Sequence, residues 1–227
     1  YYGGGTPSLL TPPQMESLFS TLREQFVIPE GTQVIYEGNP DSLSDRKVEV
    51  MAKLGGVTRL TIGVQTLDDE VQKIVKRFNK PEQVAAAVEA ARKWGIAHVN
   101  TDLMAGLPGQ TTASFLSDLE FLLSLEPDSI HLNAYRPLPV VSLAKSMPNA
   151  MGPEQIAARD EMMRLAEARL ADAGHSANAG AGRGSGQGKR KTQSAANIQE
   201  YDLRRQNSNL MALGIPARGH AFGGAYY

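Results

Sequence analysis

The chain of 227 residues carries 23 basic and 24 acidic side chains, a formal net charge of −1, 41% apolar and 21% charged residues, and no cysteine. These values describe a soluble globular chain with material for one sizeable domain, and the near-neutral balance gives no electrostatic case for nucleic acid or an anionic membrane as partner. No run of about 18 apolar residues exists to span a bilayer, no signal peptide opens the chain, and the lack of cysteine excludes disulfides, thiolate metal sites and a cysteine nucleophile within these residues and points to the cytoplasm.

The chain opens on Tyr1-Tyr2-Gly3-Gly4-Gly5-Thr6-Pro7. The aromatic pair reads as the end of a buried strand. The three glycines expose main-chain groups that a polar ligand can approach closely. A start inside a strand, without methionine, reads as an excision from something longer. Residues 12–26 form a predicted helix, with proline near its start and Met15, Leu18, Phe19 and Leu22 at helical spacing. Residues 33–37 are a short β-branched strand ending in Glu-Gly-Asn-Pro, a turn sequence. A second helix is expected over 42–54, a strand over 57–64, and helices over 68–77 and 81–94. The strand at 98–104 runs into Gly-Leu-Pro-Gly, which is first a loop signal. A helix over 111–125, a strand over 129–135 and a long Ala- and Glu-rich helix over 153–173 follow.

Five strands alternating with helices argue for an α/β fold of parallel βαβ units with right-handed crossovers. An open doubly wound sheet and a closed or partly closed barrel both fit that pattern. Residues 176–196 are Gly, Ala, Ser and Gln with a basic cluster (Arg183, Lys189, Arg190, Lys191), and read as a flexible linker. The tail, 197–227, holds a helix-like piece over 201–213 and a Gly-rich end.

Polar residues fall at the expected carboxyl ends of strands: Glu37, Gln65, Asp102, Tyr135 and Arg136. Each interrupts an apolar run where packing favours another hydrophobe. In a barrel these ends converge with the glycine loop on one mouth. Glu37 or Asp102 suits an ammonium or a ribose hydroxyl, and Arg77 or Arg136 a carboxylate. Plainer roles stand beside these: Glu37 as a turn residue, Asp102 as a cap, Arg77 as a complement to a helix dipole. His98 and His131 lie on different strands, His175 closes a helix and His220 sits in the tail, so no histidine spacing supports a metal site.

The motifs together carry a resemblance. Gly3-Gly4-Gly5-Thr6-Pro7-Ser8-Leu9-Leu10, Glu37-Gly38-Asn39-Pro40, the stretch from Gly56 to Gln65 with Arg77 beyond it, and Asp102 to Thr111 occur in order before a strand ending at Tyr135. This set resembles the radical S-adenosylmethionine enzymes of the oxygen-independent coproporphyrinogen III oxidase family, which includes heme chaperones and radical methylases. The resemblance covers roughly residues 1–175. It implies a partial (β/α)6 barrel with its first strand missing, followed by the linker and a C-terminal segment over 197–227.

It further implies that Gly3, Gly4, Gly5 and Thr6 contact S-adenosylmethionine. By the same likeness Glu37, Gln65, Arg77 and Asp102 would hold it, with Arg136 near a backbone contact. In the family a [4Fe–4S] cluster, bound by Cys-x3-Cys-x2-Cys upstream of the glycine motif, cleaves S-adenosylmethionine to a 5′-deoxyadenosyl radical that takes a substrate hydrogen. This chain starts at the glycine motif and holds no such cysteines, so alone it is expected to be inactive. The substrate implied is a small molecule such as a porphyrin. The alternative is a heme-binding chaperone or a cluster-less, non-catalytic binding domain of the same family.

Overall fold

Four short segments pair in parallel to make the centre of the fold: β1 (Ile35–Gly38), β2 (Arg59–Gln65), β3 (His98–Ala105) and β4 (Ser129–Ala134). The computed structural model describes residues 1–137, 151–179, 185–190, 219–221 and 224–226. Helices α1 (Pro12–Gln25), α2 (Asp45–Lys53), α3 (Asp69–Val75), α4 (Pro81–Lys93), α5 (Thr112–Ser124) and α6 (Pro153–Asp172) alternate with the strands. Consecutive parallel strands need such crossovers, since no tight turn can join them.

Local chemistry sets the helix starts. Pro12 opens α1, and the Gln14 side chain returns to the Thr11 N–H at 2.9 Å. Asp68 accepts from the N–H groups of Glu70 and Val71 at the head of α3. Thr111 and Ser114 cap α5 reciprocally.

Side chains alternate across a strand, and the register fixes which residues share a face. Tyr36 pairs with Leu60, Leu60 with Val99, Thr101 with Ile130 and Leu103 with Leu132. Of these positions Thr101 is a buried polar residue, and the others are buried in one cluster with Met15, Phe19, Val88, Phe115, Leu119, Leu122 and Ala166 of the helices. The opposite parity holds Glu37, Arg59, Thr61, Asn100, Asp102, Ser129 and His131. The expected α/β partial-barrel architecture is therefore present, with one apolar and one polar sheet face.

Three expectations change. Tyr2 makes only an isolated parallel bridge to Tyr36, through Tyr2 N–H to the Ile35 carbonyl and Glu37 N–H to the Tyr2 carbonyl. The expected helix over 42–54 is a 3-10 turn, Pro40–Ser42, followed by α2 with Ser44 as its N-cap. The stretch read as a linker contains β5 (His175–Ala179) and β6 (Ser185–Arg190), which extend the sheet antiparallel in the order β1-β2-β3-β4-β6-β5. Pairing uses main-chain groups, so a Gly/Ser-rich composition without apolar alternation gave no sign of it.

The chain divides into two compact units, Tyr1–Lys191 and Thr192–Tyr227. In the second, β7 (Gly219–Ala221) pairs antiparallel with β8 (Gly224–Tyr226); the helix-like piece expected over 201–213 lies outside the described residues. Among the described residues no helix is long and apolar enough to cross a membrane.

Candidate functional site

The glycine loop leaves Tyr2 and folds over the end of β1. A Cβ at Gly3 would lie 2.7 Å from Glu37 Oε2 and closer still to the Tyr1 ring. Only glycine lets the loop come this near the carboxylate. The Tyr1 hydroxyl donates to Glu37. Gly4 holds φ +105°, a conformation open to glycine, and nothing lies within 4 Å of a Cβ at Gly4 or Gly5. Thr6 accepts from Leu9 N–H through its carbonyl and starts the next 3-10 turn.

The loop is fastened to the turn after β1. The buried Tyr36 hydroxyl donates to the Pro7 carbonyl at 2.7 Å, and burial pushes that phenol far above its ordinary pKa. Ser8 Oγ accepts from Asn39 N–H at 3.1 Å and shares a 2.5 Å hydrogen bond with Ser42 Oγ. Lys47 Nζ donates to the carbonyls of Ser8 and Ser42.

At the end of β2 the ladder slips between Gly63 and Gln65, and Gln65 adopts φ +65°. A non-glycine residue in that region marks a held conformation. The hold comes from below: Asp118 of α5, itself buried, accepts from Thr66 Oγ1 and Leu67 N–H, both at 2.9 Å. Burial raises the Asp118 pKa despite both hydrogen bonds. Asn79 Nδ2 meanwhile caps the Val64 carbonyl at 2.8 Å. Among the described residues Gln65 Oε1 is left buried without a hydrogen-bond partner.

Arg77 follows the left-handed Lys76 that ends α3. Its Nη1 donates to the Gly63 carbonyl at 3.0 Å and reaches Asn39 Oδ1 at 3.5 Å. The guanidinium therefore turns to the strand ends instead of serving the α3 dipole. Burial lowers its pKa, against the opposing charges of Asp41 and Asp102.

Asp102 pairs in register with Gly63 on one side and His131 on the other. It is no cap of a following turn: Oδ1 accepts from Asn100 Nδ2 at 2.7 Å and from His131 Nδ1 at 3.2 Å. Ser129 Oγ donates to Asn100 Oδ1 at 2.7 Å and so accepts from His98 Nε2 at 3.0 Å. The chain of bonds turns the Asn100 amide so that its NH2 faces the carboxylate. His131 Nε2 is buried with no partner among the described residues.

Arg136 lies past β4, exposed and engaged in contacts of its own. Next to it Tyr135 N–H donates to the Ala105 carbonyl, and Arg159 of α6 donates to the Tyr135 carbonyl. The Gly-Leu-Pro-Gly loop lines a pocket here with Tyr135, Arg159 and Met162, at the carboxyl ends of β3 and β4. Gln110 Oε1 fixes it by accepting from the N–H groups of Gly106 and Leu107.

Glu37, Gln65, Arg77 and Asp102 thus occupy the carboxyl end of one sheet face, with Gly3 against Glu37. Arg59, Asn100, Ser129 and His131 were not singled out by the sequence reading. A signal existed: His98-x-Asn100-x-Asp102 and Ser129-x-His131-x-Asn133 are polar at every second position. Among the described residues no group of three or more His, Cys, Asp or Glu side chains could hold a metal ion.

A parallel α/β sheet with its polar groups gathered at the strand carboxyl ends is the class of ligand-binding partial barrels. Residues 1–122 match the radical SAM superfamily, and the chain belongs to it. It is 35% identical over 176 residues to an oxygen-independent coproporphyrinogen III oxidase of Bradyrhizobium diazoefficiens, covering 77% of this chain and 39% of that one. It is 37% identical over 126 residues to a heme chaperone, HemW, of Lactococcus lactis, covering 56% and 33%. The solved coproporphyrinogen III oxidase of Escherichia coli superposes with a TM-score of 0.78 at 24% identity, covering 96% of this chain and 51% of that one. The chain spans about two fifths or less of the length of these curated relatives.

The superfamily implies S-adenosylmethionine and a [4Fe–4S] cluster. The residues fit the first: among the described residues Gln65 Oε1 is a buried acceptor without a donor, open space lies beside Gly4 and Gly5, and Arg77 has donors beyond Nη1. These residues by themselves do not fit the second, since cluster iron takes thiolate ligands and none of the 227 is cysteine.

Proposed function

We propose that this chain is the S-adenosylmethionine-binding barrel of a radical enzyme resembling oxygen-independent coproporphyrinogen III oxidase. The observation that supports it is the convergence of two carboxylates, a buried amide acceptor and a half-buried guanidinium on one end of one sheet face, beside a glycine loop without Cβ atoms. A zwitterionic nucleoside needs that mixture: carboxylates for an ammonium and ribose hydroxyls, a cation for a carboxylate, bare backbone for close approach. In the family a cluster-delivered electron cleaves the ligand to methionine and a 5′-deoxyadenosyl radical; these residues hold no thiolate for that cluster, so the part proposed for them is to bind and orient S-adenosylmethionine.

The residues of this chain bind and orient. Glu37, held by Tyr1, accepts from the ammonium near Gly3. Asp102, oriented by Asn100 and His131, accepts from hydroxyls, and Gln65 Oε1 from a further donor. Arg77 holds the carboxylate. Gly4, Gly5 and Thr6 line the approach, and Arg136 stands at its outer side. Holding the ligand against a sheet walled by helices positions it and limits water.

Calorimetry of the chain with S-adenosylmethionine tests the reading. One saturable site is expected, weakened at least tenfold in Glu37→Gln. No heat of binding up to about 1 mM ligand would sink it. The likeness to HemW supports a second reading, a heme-binding domain. Tight, saturable heme binding with no S-adenosylmethionine affinity would favour it.

A further inference from the structure

Arg59 opens β2 and shares its parity with Thr61 and Gly63, so it lies on the sheet face that carries Glu37 and Asp102. It is 5% exposed. Among the described residues its guanidinium has no hydrogen-bond or ion-pair partner. The groups that act on it through their charge are Asp102, Tyr1 and Asp128, and each is engaged elsewhere. Asp102 Oδ1 holds Asn100 and His131. The Tyr1 hydroxyl donates to Glu37. Asp128 Oδ2 accepts from Val99 N–H at 2.8 Å. Burial lowers the Arg59 pKa, opposed by the Asp102 and Asp128 carboxylates.

Five N–H donors in a rigid fork, largely withdrawn from water but not sealed from it and with no protein acceptor among the described residues, are open to an incoming acceptor. The same fork matches a carboxylate with two parallel hydrogen bonds. Arg77 differs, because one of its nitrogens is committed to the Gly63 carbonyl. We infer that Arg59 anchors a carboxylate subsite on the polar face of the sheet and receives a carboxylate of the ligand bound there. The inference rests on the proposed binding role for the carboxylate's source, which is either an acidic side chain of the substrate or the methionyl end of S-adenosylmethionine, shared in that case with Arg77.

The first experiment needs neither ligand. The chain is melted in sodium propionate, in propionamide, and in sodium chloride at equal ionic strength. Propionate is expected to raise Tm by about 2–4 °C over both controls. Arg59→Met should abolish that rise, and Arg59→Lys should keep part of it. A wild-type response no larger than in chloride or propionamide overturns the subsite, as does a full response in Arg59→Met. If Arg59→Met does not fold, the wild-type comparison and Arg59→Lys decide.

Two ligand pairs then locate the source: S-adenosylmethionine against its decarboxylated form, and coproporphyrin III against its tetramethyl ester. A tenfold preference for the acid that falls below threefold in Arg59→Lys assigns the carboxylate to that ligand. Preferences unchanged by the substitution in both pairs overturn the ligand assignment. A propionate response in a chain that binds no S-adenosylmethionine would end the cofactor reading and leave the subsite standing.

Discussion

The two faces of the β1–β4 sheet come from the same strands and do opposite work. One face sets Leu60, Ile62, Leu103, Ile130 and Leu132, all fully buried, against the helices. The other sets Arg59, Asn100, Asp102, Ser129 and His131 against one another through hydrogen bonds and charge. Packing alone holds the first face, so its positions ask for volume and shape. The second face is released from that demand. Its residues are chosen for donors and acceptors, and two of its polar atoms, Gln65 Oε1 and His131 Nε2, have no hydrogen-bond partner among the described residues.

The contrast predicts that substitutions will separate stability from binding. The largest effect falls on the apolar face. Leu132→Ala should cost about 3 kcal/mol in chemical denaturation, while affinity per folded molecule stays within twofold. A large affinity loss in folded protein would break the division.

Asp102→Asn tests the other side. Asparagine keeps an oxygen for Asn100 and His131 and loses only the charge. S-adenosylmethionine affinity should fall about tenfold, worth about 1.4 kcal/mol, with stability changed by less than about 1 kcal/mol. Equal losses in both would mean that the polar face is structural. Gly3→Ala should weaken binding severalfold through the crowded Glu37, with Tm almost unmoved because the loop is exposed.

Asp118 gives the smallest and most specific effect. Its folded pKa lies above the ordinary 3.8, so between those values the native state holds more protons than the unfolded chain. Stability should therefore fall as pH rises through that window. Asp118→Asn still accepts from Thr66 and Leu67, and should flatten that slope while changing neutral-pH stability by less than about 1 kcal/mol. An unchanged slope in the variant would assign the dependence elsewhere.

Helix and strand positions were legible because periodicity and capping are local. Pro12, Asp68 and Thr111 mark helix starts in the sequence and in the structure alike. The β5–β6 hairpin was not legible, since its pairing is between main-chain groups and its residues carry no alternating pattern. Glu37, Gln65, Arg77 and Asp102 could be named from motif order, but the partners that orient them could not. His98 and Ser129 are 31 positions apart in the chain and 3.0 Å apart in space. Nothing local relates them.

The order of residues alone determined an α/β chain of parallel units, its superfamily, and the absence of any thiolate to bind iron. Only the tertiary structure decided which polar side chains share a face, that Asp118 holds the Gln65 turn, and that Arg59 is buried with no acceptor to meet it among the described residues. The reason is register. Composition and spacing fix what each strand offers, but cross-strand neighbours exist only after the sheet has formed.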